Sequence, residues 1–121
     1  QSLPRRLALT SGDTVWYVDY KSGYLGQYNP VNEQVREWRL PAEMDSRPYG
    51  MISDDQDRLW LVETGIMPNR LIGFSAKQEK VISQTEIPSG GKTVRHMVYH
   101  PDSQSIWFGA DTNTVGRVRI P

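Results

Sequence analysis

Three side chains with distinct chemistry stand at one distance from a repeated tryptophan. Arg5, Tyr49 and His96 each precede a tryptophan by eleven positions. Further arginines lie beside them in the chain, at Arg6, Arg47 and Arg95. Guanidinium groups bind oxyanions, and imidazole and phenol groups accept or donate protons. The pattern predicts a site for an anionic or polar carbonyl-bearing ligand, and the alternative is a solvated rim with salt bridges.

Other chemistries find little support in the residues. His96 and His100 lie roughly 13 Å apart if the segment is a strand, which is too far to share a metal ion. The segment 89–93, Ser-Gly-Gly-Lys-Thr, lacks the earlier glycine and the following helix pattern of a phosphate-binding loop. The chain has no cysteine, which excludes thiol nucleophiles and cysteine-bound metals. The residues by themselves predict no metal site.

The charge balance narrows the class of ligand. Fourteen Lys and Arg residues balance fourteen Asp and Glu residues, so the formal net charge is zero. Nucleic-acid binding and electrostatic membrane docking both need a one-sided positive field. No apolar run approaches the roughly 18 residues of a membrane span. We therefore expect a soluble protein with a small-molecule or peptide ligand, and neither nucleic acid nor membrane as a partner.

A repeated phrase surrounds the three tryptophans. It reads Val-Trp-Tyr-Val-Asp at 15–19, Leu-Trp-Leu-Val-Glu at 59–63 and Ile-Trp-Phe-Gly-Ala at 106–110. Turn-forming residues precede each phrase, and an aliphatic residue followed by glycine comes after it. Four short strands in a repeat of roughly 45 residues are typical of a β-propeller blade.

We predict an all-β partial β-propeller that forms one unit over residues 1–121. Its three blades, of up to four antiparallel strands each, span about 5–46, 47–92 and 93–121. Only fourteen residues follow Trp107, so the last blade is expected to lack its outer strand. Residues 32–40 stay open between strand and helix, because Glu, Gln and Arg favour helices whereas the matching stretch 80–88 is rich in strand formers.

Three blades are too few to close a ring, since known propellers have about four to eight. We expect either further blades upstream or a homo-oligomer, because an open arc leaves two apolar faces wet. The starts of the inner strands line one end of the central channel, so the arginines, Tyr49 and His96 are expected at one mouth. Asp19 and Glu63, each third after a tryptophan, either hold backbone donors between blades or contact a ligand.

The repeats resemble a known family. The stretches RPYGMISDDQDRLWLVET, NRLIGFSAKQEKVISQTEIPSGG and VRHMVYHPDSQSIWFGADTNTVGRVRIP resemble the virginiamycin B lyase (streptogramin lyase) family of bacterial β-propellers. The resemblance covers about residues 3–121 and makes the chain look like the C-terminal three blades. It implies a seven-bladed propeller that opens a cyclic depsipeptide antibiotic at an ester by elimination, with Mg²⁺.

The resemblance also implies a catalytic set, formed by one His eleven residues before a blade tryptophan and a Glu-x-His before the next. His96 matches the second His, Tyr49 stands where the first His is expected, and Val94 replaces the Glu. One of three positions therefore matches. The catalytic candidates are His96 and Tyr49, and the substrate-binding candidates are Arg5, Arg47, Arg95 and Glu63.

Two hypotheses of function follow. The first is a Mg²⁺-dependent lyase segment, impaired or retuned by the two replaced positions. The second is a non-catalytic propeller segment that binds a ligand or a partner.

Overall fold

The structure is a computed structural model that describes residues 1–121. Eleven strands form three antiparallel sheets, and the strands of each sheet pair in chain order. Blade one contains β1 (Pro4–Thr10), β2 (Thr14–Asp19), β3 (Tyr24–Tyr28) and β4 (Val35–Arg39). Blade two contains β5 (Pro48–Ser53), β6 (Arg58–Glu63), β7 (Arg70–Ser75) and β8 (Lys80–Glu86). Blade three contains β9 (Val94–His100), β10 (Ser105–Ala110) and β11 (Thr114–Arg119).

This arrangement confirms the predicted all-β partial propeller, including the missing outer strand of blade three. Two single 3₁₀ turns, Ser11–Asp13 and Glu43–Asp45, are the helical elements. The chain contains no helix of the length and apolar character that a membrane crossing requires.

Within the stretch 32–40, residues Val35–Arg39 form strand β4, and the helix alternative is wrong. Strand β4 pairs with β3 so that Trp38 lies opposite Leu25. The Trp38 ring stacks on Trp16, with ring centroids 5.4 Å apart. This contact outweighs the helix propensity of Glu37 and its neighbours, because burying two aromatic rings stabilises more than a few tenths of a kcal/mol per residue, about the range of helix propensities.

The core consists of two thin apolar layers between the blades. The first layer lies between blades one and two and contains Ala8, Trp16, Val18, Leu25, Leu40, Met51, Leu59, Leu61, Ile72 and Phe74. The second layer lies between blades two and three and contains Trp60, Val62, Leu71, Ile87, Val94, Met97, Ile106, Phe108 and Ile120. Both faces of blade two are therefore buried, because successive side chains of each strand point to opposite faces and a neighbouring blade covers each face.

The glycine that comes after each repeated phrase, in the aliphatic–glycine pair on the third strand, makes room for an aromatic ring. Each one lies on the third strand directly opposite an aromatic residue of the second strand. A Cβ at Gly73 would lie 2.6 Å from the Trp60 ring, and one at Gly116 would lie 2.2 Å from the Phe108 ring. Gly26 and Tyr17 repeat the arrangement in blade one. Any side chain at these positions would displace the ring.

The three repeated tryptophans differ in burial. Trp16 and Trp60 are 0% and 2% exposed, because each packs into the layer toward the next blade. Trp107 occupies the same strand position in blade three and is 41% exposed. At the other end of the arc, Leu7 and Leu9 of β1 are 66% and 60% exposed. The two outer faces of the arc are thus apolar and open.

A buried carboxylate organises the hairpin between β5 and β6. The oxygens of Asp54 accept hydrogen bonds from the Gln56 and Arg58 backbone N–H, from Arg58 Nε at 2.7 Å and from Trp60 Nε1 at 2.9 Å. Burial raises the pKa of the Asp54 carboxyl, but the hydrogen bonds from Trp60, Arg58 and Gln56 outweigh burial and lower that pKa below its ordinary value.

We expect Trp16→Ala to lower the free energy of unfolding by about 3–5 kcal/mol, since it leaves a cavity in the first layer. Trp107→Ala, the matched change on the open face, should cost about 1–2 kcal/mol. Urea unfolding followed by circular dichroism measures both. Equal losses for the two variants would show that the face of Trp107 is as well packed as the first layer.

We expect Asp54→Asn to flatten the dependence of stability on acid. The folded-state pKa of Asp54 lies below the unfolded value of about 3.9, so its stabilisation is complete above that value and is lost as the pH falls through the folded pKa. The free energy of unfolding of the variant should therefore be lower at neutral pH and change less below about pH 4. Asp102→Asn, in an exposed turn, is the control. The prediction would be contradicted if the free energy of unfolding of Asp54→Asn fell with acid as steeply as that of the unmodified chain.

Candidate functional site

The inner strands β1, β5 and β9 carry a β-bulge at the same place. Strand β5 packs against both β1 and β9, so the three bulges lie side by side at one end of the arc. In each blade two consecutive inner-strand residues oppose a single residue of the second strand. The bulged pairs are Arg5 and Arg6, Tyr49 and Gly50, and Arg95 and His96. Bulges re-aim side chains and are common beside active sites.

The bulges show that Arg5, Tyr49 and His96, each eleven residues before a tryptophan, are not structurally equivalent in the three blades. Trp16 and Trp60 pair with residues eight positions before them, whereas Trp107 pairs with Val98, nine positions before it. The first hairpin of blade three is thus one residue longer. The true equivalents are Arg5, Tyr49 and Arg95, and His96 corresponds instead to Arg6 and Gly50.

Four arginine side chains surround the phenol rings of two tyrosines. We name these six side chains the arginine–tyrosine cluster. Tyr20 and Tyr49 lie edge to face, with centroids 6.0 Å apart at 80°. The Arg5 guanidinium carbon lies 5.0 Å from the Tyr20 centre and 5.2 Å from the Tyr49 centre. The cluster is completed by Arg6 and Arg95 near the Tyr49 ring, at 5.5 and 6.0 Å, and by Arg47 at 6.0 Å from the Tyr20 ring. Each contact is within cation–π range.

The prediction placed the arginines, Tyr49 and His96 together at one mouth. The structure brings the four arginines and Tyr49 together, whereas His96 is not part of their contacts. Sequence reasoning missed the position fourth after each tryptophan, which is Tyr20, Thr64 and Asp111 in the three blades. Tyr20 stacks in the cluster, Thr64 holds the Arg47 backbone, and Asp111 pairs with Arg95 at 2.8 Å. The repeat register would have revealed this position, one residue beyond Asp19 and Glu63.

Two backbone contacts hold the cluster in place. Thr64 Oγ1 donates to the Arg47 carbonyl oxygen at 2.6 Å, and Arg47 has φ = 42°, in the left-handed region that is costly for a side-chain residue. Arg6 Nε donates to the Arg95 carbonyl oxygen at 2.8 Å, which joins blade one directly to blade three. Gly50 lies on the strand between them, and a Cβ there would come within 3.0 Å of the Val94 carbonyl oxygen.

The cluster concentrates positive charge in a chain whose formal net charge is zero. Among its four guanidinium groups, only that of Arg95 pairs with a carboxylate, on Asp111. The side chains of Arg5 and Arg47 donate no hydrogen bond within the chain, and both residues are exposed. Unpaired guanidinium groups on a shared aromatic surface make a binding place for oxyanions.

His96 lies outside the cluster. It is exposed and lines an open cleft on the outer face of blade three, together with Arg95, Trp107 and Asp111. No hydrogen bond joins His96 to Tyr49, so the two catalytic candidates are near one another without forming a pair. Val94, where the resemblance expects Glu, is fully buried in the second layer.

Glu63 and Asp19 are buried and hold donors of the protein itself. Glu63 Oε2 accepts the Ala42 N–H at 2.7 Å, and Oε1 accepts Arg70 Nε at 3.0 Å. Asp19 Oδ1 accepts the Leu3 N–H at 2.9 Å and two N–H groups of the following turn. Both oxygens of Glu63 are engaged, and its ligand-binding role stays a prediction.

The residues at this end of the arc do not fit a magnesium ion. Magnesium is held by carboxylate oxygens and water, whereas the carboxylate of Asp111 is already paired with Arg95, and the cluster itself consists of arginines and tyrosines. No group of three or more His, Cys, Asp or Glu side chains in the chain is placed to hold a metal ion.

Comparisons with known proteins give the fold. No family model matches the chain, and no curated protein matches it. Among solved structures it is similar to virginiamycin B lyase from Staphylococcus aureus, with 18% identity and a TM-score of 0.76 over 98% of this chain and 42% of that one. The chain has the β-propeller fold of virginiamycin B lyase. The resemblance inferred from the repeats is thereby confirmed at the level of fold.

Two further structures extend the comparison. A catalytically inactive histidine-to-alanine variant of virginiamycin B lyase from Staphylococcus aureus, with quinupristin, gives 17% identity and a TM-score of 0.77 over 96% of this chain and 41% of that one. The PQQ-bound aldose sugar dehydrogenase from Streptomyces coelicolor gives 14% identity and a TM-score of 0.65 over 91% and 38%. The chain spans less than half the length of these propellers, whose activities differ.

Proposed function

We propose that the chain is a non-catalytic propeller segment that binds an anionic small-molecule or peptide ligand at the arginine–tyrosine cluster. The observation that supports this most is the charge of the cluster, in which four guanidinium groups surround two phenol rings and only one of the four, that of Arg95, forms a salt bridge. Arg5, Arg47 and Arg95 supply the donors. The rings of Tyr20 and Tyr49 supply an apolar surface for the rest of the ligand.

The energetics favour a bound anion. Arg6 and Arg95 lie 5.5 and 6.0 Å from the same ring centre, so their guanidinium carbons are at most about 12 Å apart, well within the Debye length of about 30 Å at 0.01 M ionic strength. Like charges at such distances repel one another. An oxyanion removes the repulsion and gains charge-assisted hydrogen bonds, each worth about 1.5–3 kcal/mol.

The open faces of the arc support a larger assembly around this site. Trp107 at one end, and Leu7 and Leu9 at the other, expose apolar surface that the blades elsewhere bury against one another. We propose that further blades of the same polypeptide or another copy of the chain cover these faces and close the channel, with the cluster at its mouth.

We expect benzoate, which carries a carboxylate and a ring, to bind the 121-residue chain at low salt. Arg5→Ala should weaken this binding about tenfold or more, the equivalent of one charge-assisted hydrogen bond. Titration followed by NMR chemical shifts measures the affinity and locates the ligand. Arg119→Ala removes an exposed arginine from β11 and is the matched control. Equal affinity in the Arg5→Ala protein and the unmodified chain would contradict the proposal.

The second candidate is an elimination at a cyclic depsipeptide ester. It is favoured by the fold shared with virginiamycin B lyase, one histidine-to-alanine variant of which is described as catalytically inactive. In this chain His96 would take the proton α to a carbonyl, the C–H electron pair would form a C=C bond, and the alkyl C–O bond of the ester would break with a carboxylate as the leaving group. Tyr49, the acid candidate, would donate a hydrogen bond to the leaving oxygen. The arginines would bind the released carboxylate. Magnesium, which the resemblance implies, has no fitting ligand set here.

We expect quinupristin to remain intact after incubation with the chain and Mg²⁺. Liquid chromatography with mass spectrometry distinguishes the outcomes, because elimination yields a linear isomer of unchanged mass and hydrolysis adds one water. A linear isomer that forms with the unmodified chain and is lost in His96→Ala would establish the lyase and overturn the non-catalytic proposal.

A further inference from the structure

The arginine–tyrosine cluster holds more positive charge than a single carboxylate can balance. Its four guanidinium groups carry four positive charges, and Asp111 offsets one of them. A monoanionic ligand would leave about two charges unpaired, and at low salt these charges still repel one another across the two rings. A ligand with two or three negative charges leaves the site near neutrality.

The donors also extend over a distance longer than one carboxylate. Arg47 lies on the Tyr20 side of the ring pair and Arg95 on the Tyr49 side, each 6.0 Å from its ring, while Arg5 lies against both rings. A carboxylate has two oxygens and is saturated by one or two guanidinium groups. Phosphoryl groups offer three oxygens each, and a pair of them spans several arginines.

The cluster is organised before any ligand binds. The carbonyl of Arg47 is tied to Thr64 and its backbone is held in a left-handed conformation. The Nε of Arg6 is committed to the Arg95 carbonyl, and the guanidinium of Arg5 lies against two rings. These contacts lower the entropy that the arginines would lose on binding, and they leave the Nη groups of Arg5 and Arg47 free to donate.

We infer that the ligand of the arginine–tyrosine cluster is a multiply charged oxyanion of the phosphoryl type, with at least two negative charges. This inference rests on the proposed function, since it names the ligand class for the same site. The Asp111 carboxylate is the built-in competitor, because its oxygen occupies Arg95 Nη1 at 2.8 Å and repels the ligand.

The inference is tested by titrating the 121-residue chain with inorganic pyrophosphate, inorganic phosphate and benzoate by calorimetry, at low and at physiological salt. We expect pyrophosphate to bind about tenfold more tightly than benzoate, with phosphate between them. Arg5→Ala and Arg47→Ala should each weaken pyrophosphate binding about tenfold. Asp111→Asn should strengthen it about threefold, which loss of a merely structural contact would not do. Arg119→Ala should leave it unchanged.

The outcomes separate the inference from the proposed function. Benzoate binding as tight as that of pyrophosphate, still weakened by Arg5→Ala, would overturn the inference and leave anion binding at the cluster intact. An equal loss in Arg119→Ala and Arg5→Ala would show attraction by surface charge and overturn both. Binding of none of the three anions would likewise overturn both. Arg5→Lys keeps the charge without the planar fork, and its intermediate affinity would confirm that geometry matters if Arg5→Ala unfolds.

Discussion

Packing between blades is the interaction on which the rest of this structure depends. A four-stranded sheet of five- to seven-residue strands has too little surface to form a core alone, so each blade is stabilised by the layer it shares with its neighbour. The first layer centres on Trp16 stacked against Trp38, with Phe74 tilted against both rings, and the second contains Trp60, Met97 and Phe108. These layers fix the spacing of β1, β5 and β9, and thereby the positions of the three bulges.

The bulges convert a repeated scaffold into an asymmetric site. Identical backbone irregularities in three blades present an arginine, a tyrosine and another arginine at equivalent positions, and the turns after the second strands add Tyr20 and Asp111. Like charges are gathered here without matching carboxylates, which departs from the usual pairing of opposite charges. Elsewhere three arginines form salt bridges with carboxylates, including the bidentate contact of Arg36 with Glu79 between blades one and two. Departures from local consistency of this kind concentrate at functional sites.

Much of the fold followed from the repeat, because strand alternation and turn residues are local signals. Trp16, Trp60 and Trp107 marked the second strand of every blade, and the short segment after Trp107 revealed the missing strand. The site was less accessible. Counting eleven residues back from each tryptophan predicted that His96 is equivalent to Tyr49. The hairpin of blade three contains one extra residue, which shifts the register and makes Arg95 the equivalent of Tyr49. Tyr20 carried no signal of its own beyond its place after Asp19.

The sequence by itself determined the number of blades, their strand order and the residue types available at the inner strands, because these depend on periodicity and turn chemistry within each repeat. Only the tertiary structure decided which of those residues meet. Arg6 and Arg95 are separated by 89 positions and are joined because the blades pack in an arc in which β1 and β9 both contact β5. His96 lines the cleft on the open face of blade three together with Arg95, because the two residues form the bulged pair of β9.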